Sequence, residues 1–315
     1  MNPSLPAPDL SRRAFLAQAG IGAASLALAP AAFAATPAAP AAAAKKLEIA
    51  GFEKHFFEKY TPDQLAQTAD EMDLHIELTV RPDGHVKPEA AADELPRYVA
   101  ALAKKNRRIL VVAASFIRPD EPHLEKVLRA SRALGIRHYR HRGFKYDLKK
   151  PIKPQLANFR SMARDLAAIH RSVGITGLYQ NHAGANYVGA AIWDIDYVLD
   201  DIAPQDFSLA LDTRHLLVEQ GRAWPSAVSM IAPRVGSLFV KSFKWDRDRT
   251  VETPLADGIV PKTMVDRIVA GHAALPVCLH VEHLKLQPIP FDQRAATVAA
   301  FRADAAVLRG WLGQA

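Results

Sequence analysis

A single cysteine in 315 residues leaves nothing to pair with, so no disulfide framework holds this chain and its stability must come from a packed core. No Gly-x-Gly-x-x-Gly or Gly-x-x-x-x-Gly-Lys run follows any apolar segment, which removes the main evidence for dinucleotide or nucleotide binding. No segment is long and apolar enough to hold a bilayer as a spanning helix, so no stable membrane insertion is expected. Basic charge is also not concentrated. Formal net charge is +7, yet the densest run, Lys104, Lys105, Arg107 and Arg108, reads as a solvated helix end, which argues against nucleic acid as a partner. What is present is ample: 49% hydrophobic and 23% charged residues, enough for one large core. The length suits two ordinary domains or one (β/α)8 barrel, which runs to about 250 residues.

The N-terminus reads as an address. Ser11-Arg12-Arg13-Ala14-Phe15-Leu16-Ala17 precedes a mildly apolar stretch rich in Ala and Gly and broken by Pro30, and Ala32-Phe33-Ala34 offers a small-x-small cleavage site. This resembles a twin-arginine signal peptide over residues 1–34, which implies a periplasmic protein exported in folded form. Its removal takes one acidic and two basic residues, Asp9, Arg12 and Arg13, and lowers net charge from +7 to +6. Residues 35–45, rich in Ala and Pro, read as a flexible leader.

From residue 46 to 315, short β-branched or apolar runs alternate with longer segments of helical period, the pattern of a parallel sheet covered by helices. The strand candidates are Leu47 to Phe52, Leu74 to Val80, Ile109 to Ser115, Arg137 to His141, Thr176 to His182, Ser208 to Asp212, Val235 to Phe243 and Val277 to Glu282. Thr61-Pro62-Asp63-Gln64 supplies a hydroxyl N-cap, a proline at the first helical position and a capping-box Gln. Leu156, Phe159, Ala163, Leu166, Ile169 and Val173 form one helical stripe, stopped by Gly174. Eight repeats without a marked linker favour a single (β/α)8 TIM barrel over an open sheet of two halves split near Lys150 to Pro154. Cys278 lies in an apolar run and reads as a small core residue.

Alternate residues of a barrel strand face the lumen, where an ionisable group is costly unless it is paired or binds a metal. Strand two places His75, Glu77 and Thr79 on one side, strand five Gln180 and His182, and strand six ends on Asp212 with His215 three residues later. Strand seven carries Lys241, and strand eight carries His280 and Glu282 on one side. Any one of these reads equally well as a loop cap, a structural ion pair or a core histidine; their coincidence at one end of the barrel suggests a site. Two carboxylates and an amide or imidazole donor suit Mg²⁺, Mn²⁺ or a similar divalent ion holding the oxygens of a sugar and stabilising an enediolate. A further carboxylate or a lysine would then move the proton on carbon.

These residues also resemble a family. Ile76-Glu77-Leu78-Thr79-Val80-Arg81-Pro82 with Gly84-His85-Val86, Asn181-His182-Ala183-Gly184, Asp212-Thr213-Arg214-His215, Val240-Lys241-Ser242-Phe243-Lys244-Trp245 and Leu279-His280-Val281-Glu282 look like the xylose-isomerase-like TIM barrels, the sugar phosphate isomerases and epimerases. In that superfamily a Glu, an Asp, a His and a Glu on strands five to eight hold the divalent ion. The resemblance therefore implies metal donors at Gln180, Asp212 and Glu282, with Gln180 offering only a neutral oxygen and Phe239 none where a His is expected. Lys241, two residues on, is placed to replace the ion as electrophile.

The implied function is an exported sugar isomerase or epimerase that abstracts a proton next to a carbonyl. Glu77, Lys241 and Glu282 are the catalytic candidates, and Arg81, His85, His182, His215 and Trp245 are expected to contact the substrate. A lyase or hydratase acting on keto-sugars, and a non-catalytic sugar-binding barrel, remain as alternatives. Endonuclease IV shares the superfamily, but its several zinc ligands are not assembled here and export would remove its substrate.

Overall fold

The computed structural model describes residues 46–56, 60–272, 274–284 and 287–314; the expected signal peptide and leader lie outside them. In chain order the principal elements are β1 (Ile49–Phe52), α1 (Pro62–Met72), β2 (His75–Val80), α2 (Ala91–Ala103), β3 (Ile109–Ala114), α3 (Leu124–Ala133), β4 (His138–His141), α4 (Ile152–Val173) and β5 (Thr176–Gln180). They continue as α5 (Ile192–Leu199), β6 (Phe207–Asp212), α6 (Thr213–Gln220), α7 (Trp224–Ile231), β7 (Val235–Val240), β8 (Ser242–Asp246), β9 (Arg249–Thr253), α8 (Lys262–Val269), β10 (Val277–Leu279) and α9 (Ala295–Trp311). Eight of the strands, β1 to β7 and β10, close into a parallel barrel in which β10 joins β7 to β1. The expected (β/α)8 barrel is therefore the fold.

Local signals act where the sequence puts them. Thr61 Oγ1 accepts from the Gln64 N–H at 3.3 Å while the Gln64 amide accepts from the Thr61 N–H at 2.9 Å, so α1 starts on a complete capping box. The 22-residue α4 ends at Gly174, whose φ of 77° only a residue without Cβ adopts freely. One departure concerns β7, which stops at Val240 rather than running on to Phe243. The chain then leaves the barrel as the antiparallel hairpin β8–β9, with Asp246 opposite Arg249 across its turn.

Alternation divides the strands into two faces. Ile76, Leu78 and Val80 of β2 pack outward with the helices, whereas Ala50, Val111, Leu178, Ala210, Phe239 and Cys278 fill the lumen. Lumen-facing positions one and two steps further along each strand then reach the C-terminal mouth, the face on which barrels of this kind carry chemistry.

Candidate active site at the barrel mouth

At that mouth lies a cavity of about 710 Å³ whose lining includes Lys54, Arg81, Arg140, Arg142, Gln180, His182, Lys241, His280 and Glu282. Its centre is one connected polar network. Asp212 closes β6 and at the same time caps α6, accepting from the His215 N–H through Oδ1 at 3.1 Å. Its Oδ2 accepts from Gln180 Nε2 at 2.8 Å and faces Lys241 Nζ at 3.1 Å. Lys241 Nζ also donates to Glu282 Oε2 at 3.0 Å and lies 3.0 Å from His215 Nε2. Glu282 Oε1 is taken by Lys54, which follows β1 in a single 3-10 turn.

The register explains why Lys241 arrives there. Phe239 pairs with Asp212 across β6 and β7 and with Cys278 across β7 and β10, so Lys241, two residues later, rises on the same lumen side between the ends of those strands. Thr213 fixes its backbone, since Thr213 Oγ1 donates to the Lys241 carbonyl at 3.0 Å. Burial opposes charge on Lys241, but Asp212 and Glu282 outweigh it and hold the ammonium protonated above its ordinary range. Burial likewise opposes charge on Asp212 and Glu282. Lys241 beside Asp212, and Lys241 and Lys54 beside Glu282, keep both carboxyls well below the usual carboxylate range.

A second pair lies below. His280 Nε2 sits 2.8 Å from Glu77 Oε2, and Arg140 Nη1 is 3.3 Å from Glu77 Oε1 and donates to Gln180 Oε1 at 3.1 Å. Glu77 is completely buried and does not line the cavity; His280 does. Burial opposes the negative charge on Glu77, and Arg140 and His280 restore it. Burial also lowers His280, which favours the neutral ring.

The expected site residues thus divide. Gln180, Asp212, Lys241 and Glu282 converge, with Glu77 reaching them through His280 and Arg140. His182 lines the cavity and packs on the His215 ring at 3.9 Å between centroids. Burial drives His215 down to about 2, so it is a neutral ring behind Lys241. Arg81 lines the cavity beside Asp83. Two expectations need correction. His85 is packed away from the cavity, 3.2 Å from Glu53 and edge-on to Tyr60 and Tyr98. Trp245 rides on β8, half exposed, against Phe243 and outside the cavity lining, because the chain departs into the hairpin.

The metal set also needs correction. Both oxygens of Asp212, both of Glu282 and the single oxygen of Gln180 are already bound to N–H or ammonium groups, and Lys241 stands between the two carboxylates. Among the described residues no group of three or more His, Cys, Asp and Glu is arranged to hold an ion. The donors present do not fit a divalent metal, and the ammonium takes the place its charge would occupy.

Lys54 and Arg140 were not anticipated. Arg140 had a readable signal: Tyr139 and His141 on either side join the outer aromatic cluster with His170, Phe144 and Tyr179, so parity sends Arg140 to the lumen. Lys54 lies in the 3-10 turn that follows β1, where the sequence shows no strand pattern to extend.

A closed parallel barrel with an ionised polar network at the C-terminal mouth defines a (β/α)8 protein of the kind whose site is built on strand ends. The chain belongs to the xylose isomerase-like TIM barrel family, whose model matches residues 41–284. Solved structures share the fold at low identity. The probable 3-DHS dehydratase involved in petrobactin synthesis from Bacillus anthracis superposes with a TM-score of 0.62 at 14% identity, covering 84% of this chain and 98% of that one. The 3-keto-D-glucoside 4-epimerase from E. coli gives 0.62 at 13%, covering 84% and 100%. A xylose isomerase-like TIM barrel protein from Mycobacterium smegmatis in complex with magnesium gives 0.56 at 14%, covering 82% and 98%. No functionally curated protein matches the sequence.

Proposed function

We propose that the protein is a sugar-active enzyme of the isomerase, epimerase or lyase type, which removes a proton next to the carbonyl of a keto-sugar. The observation that carries this reading is the Lys241 ammonium, held between Asp212 and Glu282 on the wall of the cavity that His280 also lines. A substrate carbonyl oxygen against Lys241 would gain negative charge as the neighbouring carbon loses its proton, and an ammonium held in place by Asp212 and Glu282 stabilises that charge without reorganising. His280, with Nε2–H donated to Glu77, offers the Nδ1 lone pair as proton acceptor. Glu282, bound by two ammonium groups, is the weaker base and holds Lys241 in place. That a 3-keto-D-glucoside 4-epimerase and a probable 3-DHS dehydratase share this fold supports a reaction of this type.

The test is proton exchange. In D2O, ketohexoses, 3-keto-glucosides and keto-sugar acids incubated with the protein should include one that gains deuterium at the carbon beside the carbonyl, with or without EDTA, and Lys241→Met should abolish the gain. No exchange with any of them would end this reading. Thermal stabilisation by the same sugars without exchange would favour the second one, a binding barrel, for which the replaced donors Gln180 and Phe239 are the supporting observation.

Export is proposed with it, supported by Arg12-Arg13 and the apolar stretch that follows. Replacing both arginines by lysine should retain the protein in the cytoplasm on fractionation; unchanged export would remove the periplasmic assignment.

A further inference from the structure

We infer that the side of the cavity built by β2 and β4 is a carboxylate-binding subsite, so that the substrate is an acidic sugar; this deepens the proposed function and rests on it. The sugar-facing network described above occupies β5, β6, β7 and β10. The opposite side carries Arg81 after β2 and Arg140 and Arg142 at the end of β4, and between them β3 ends on the small residues Ala114 and Ser115, which leave the space open.

Arg140 is the strongest element. It is 9% exposed, and its guanidinium lies over the Phe52 ring at 4.6 Å and near the Phe239 ring at 5.6 Å, so its plane is fixed before any ligand arrives. Only Nη1 is engaged, by Gln180 and Glu77; Nε and Nη2 have no acceptor among the described residues although the side chain lines the cavity. These two donors are left for an acceptor that enters the cavity.

Arg142 supplies the charge. The cavity wall carries Lys54, Arg81, Arg140, Arg142 and Lys241, against Asp83 and Glu282 on the wall and Glu77 and Asp212 just beneath it. Each of the other four cations faces one of these carboxylates, whereas Arg142 has no ion pair among the described residues. Its backbone is anchored, since the Arg142 N–H donates to the Phe116 carbonyl at 3.1 Å. Planar guanidinium forks match a carboxylate bidentately, which favours an oxidised sugar acid over a neutral sugar.

Calorimetric titration with glucuronate, glucose and glucose 6-phosphate tests this. Glucuronate should bind at least about tenfold more tightly than glucose, as charge-assisted hydrogen bonds to one carboxylate predict, and the margin should shrink on raising salt. Arg142→Ala, an exposed position that leaves the fold intact, should remove most of the margin and leave glucose binding unchanged. Arg142→Lys, which keeps the charge but not the planar fork, should retain only part of the margin. Equal affinity for glucuronate and glucose, or a margin that survives Arg142→Ala, would overturn the subsite. Binding of glucose 6-phosphate without glucuronate would overturn the carboxylate assignment. Glucuronate binding that depends on Arg142, in a protein without deuterium exchange on any keto-sugar, would uphold the subsite and reject the proposed reaction.

Discussion

His280 Nε2 lies 2.8 Å from Glu77 Oε2, and because an ionised carboxylate only accepts, Nε2 carries the hydrogen and Nδ1 keeps its lone pair. The buried Glu77 therefore acts through a histidine that meets the cavity and does not itself touch a substrate.

Glu77→Gln tests that division of labour. The amide keeps the size of the side chain but can turn its NH2 toward the ring, which would place the lone pair at Nε2 and the hydrogen toward the cavity. Deuterium exchange should fall by about 100-fold or more with KM little changed, as expected when a general base is misoriented. An exchange rate within a few-fold of the parent would show that His280 does not serve as the base. The variant must be checked by thermal melting, because Glu77 also faces Arg140.

Lys241→Ala should convert the cation-filled site into a metal site. Without the ammonium, Asp212 and Glu282 are buried carboxylates with part of their pairing lost, and breaking such a pair costs about 3–5 kcal/mol. Mn²⁺ should then raise the melting temperature of the variant by occupying the vacated space, while leaving the parent unmoved. An equal Mn²⁺ shift in the parent would mean that Lys241 yields to the ion, and the fit argued from the donor set would be wrong.

How far the sequence revealed this site depends on strand parity. Alternation carries Gln180 and Asp212 to the lumen at the ends of β5 and β6, and the same parity holds for Lys241 and Glu282 one and three residues beyond β7 and β10, so the four could be placed together from the sequence. Where the chain turns away into other structure, the rule fails. Lys54 sits in a 3-10 turn, Trp245 is carried off by the β8–β9 hairpin, and His85, expected in the mouth, turns toward Glu53 because its own N–H is held by Thr79 Oγ1 at 2.9 Å. Arg140 was readable from its flanking aromatic residues, but β4 is only four residues long and gave little pattern to follow.

Acid should weaken the fold well before the ion pairs at the mouth titrate. His55, His141 and His170 are all at most 1% exposed, and burial lowers them to about 4, 4 and 3. Each folded value lies below the unfolded value of about 6.5, so below that pH the unfolded chain binds more protons and stability falls as pH falls. The loss begins near pH 6.5 and continues to about 4, at up to about 1.4 kcal/mol per pH unit for each ring. Urea midpoints at pH 7.5, 6 and 5 should decline in that order; a flat series would mean that the rings are protonated in the fold.

Gly177→Ala probes the packing beneath the site. A Cβ at Gly177 runs into the His170 ring, lying 2.7 Å from Nδ1 and 3.0 Å from Phe207 Cδ2. The ring cannot retreat cheaply, because Nε2 is bonded to the Tyr139 hydroxyl at 2.6 Å and Nδ1 to the Asp206 carbonyl at 2.8 Å. The substitution should therefore cost about 1–3 kcal/mol, the usual range for an overpacked core, with further loss if a hydrogen bond breaks. Gly271→Ala is the control: its Cβ meets nothing within 4 Å, so stability should change by no more than about 0.5 kcal/mol. Urea denaturation of the two variants side by side decides the matter, and equal midpoints would mean that β5 and α4 have more room between them than the His170 bonds imply.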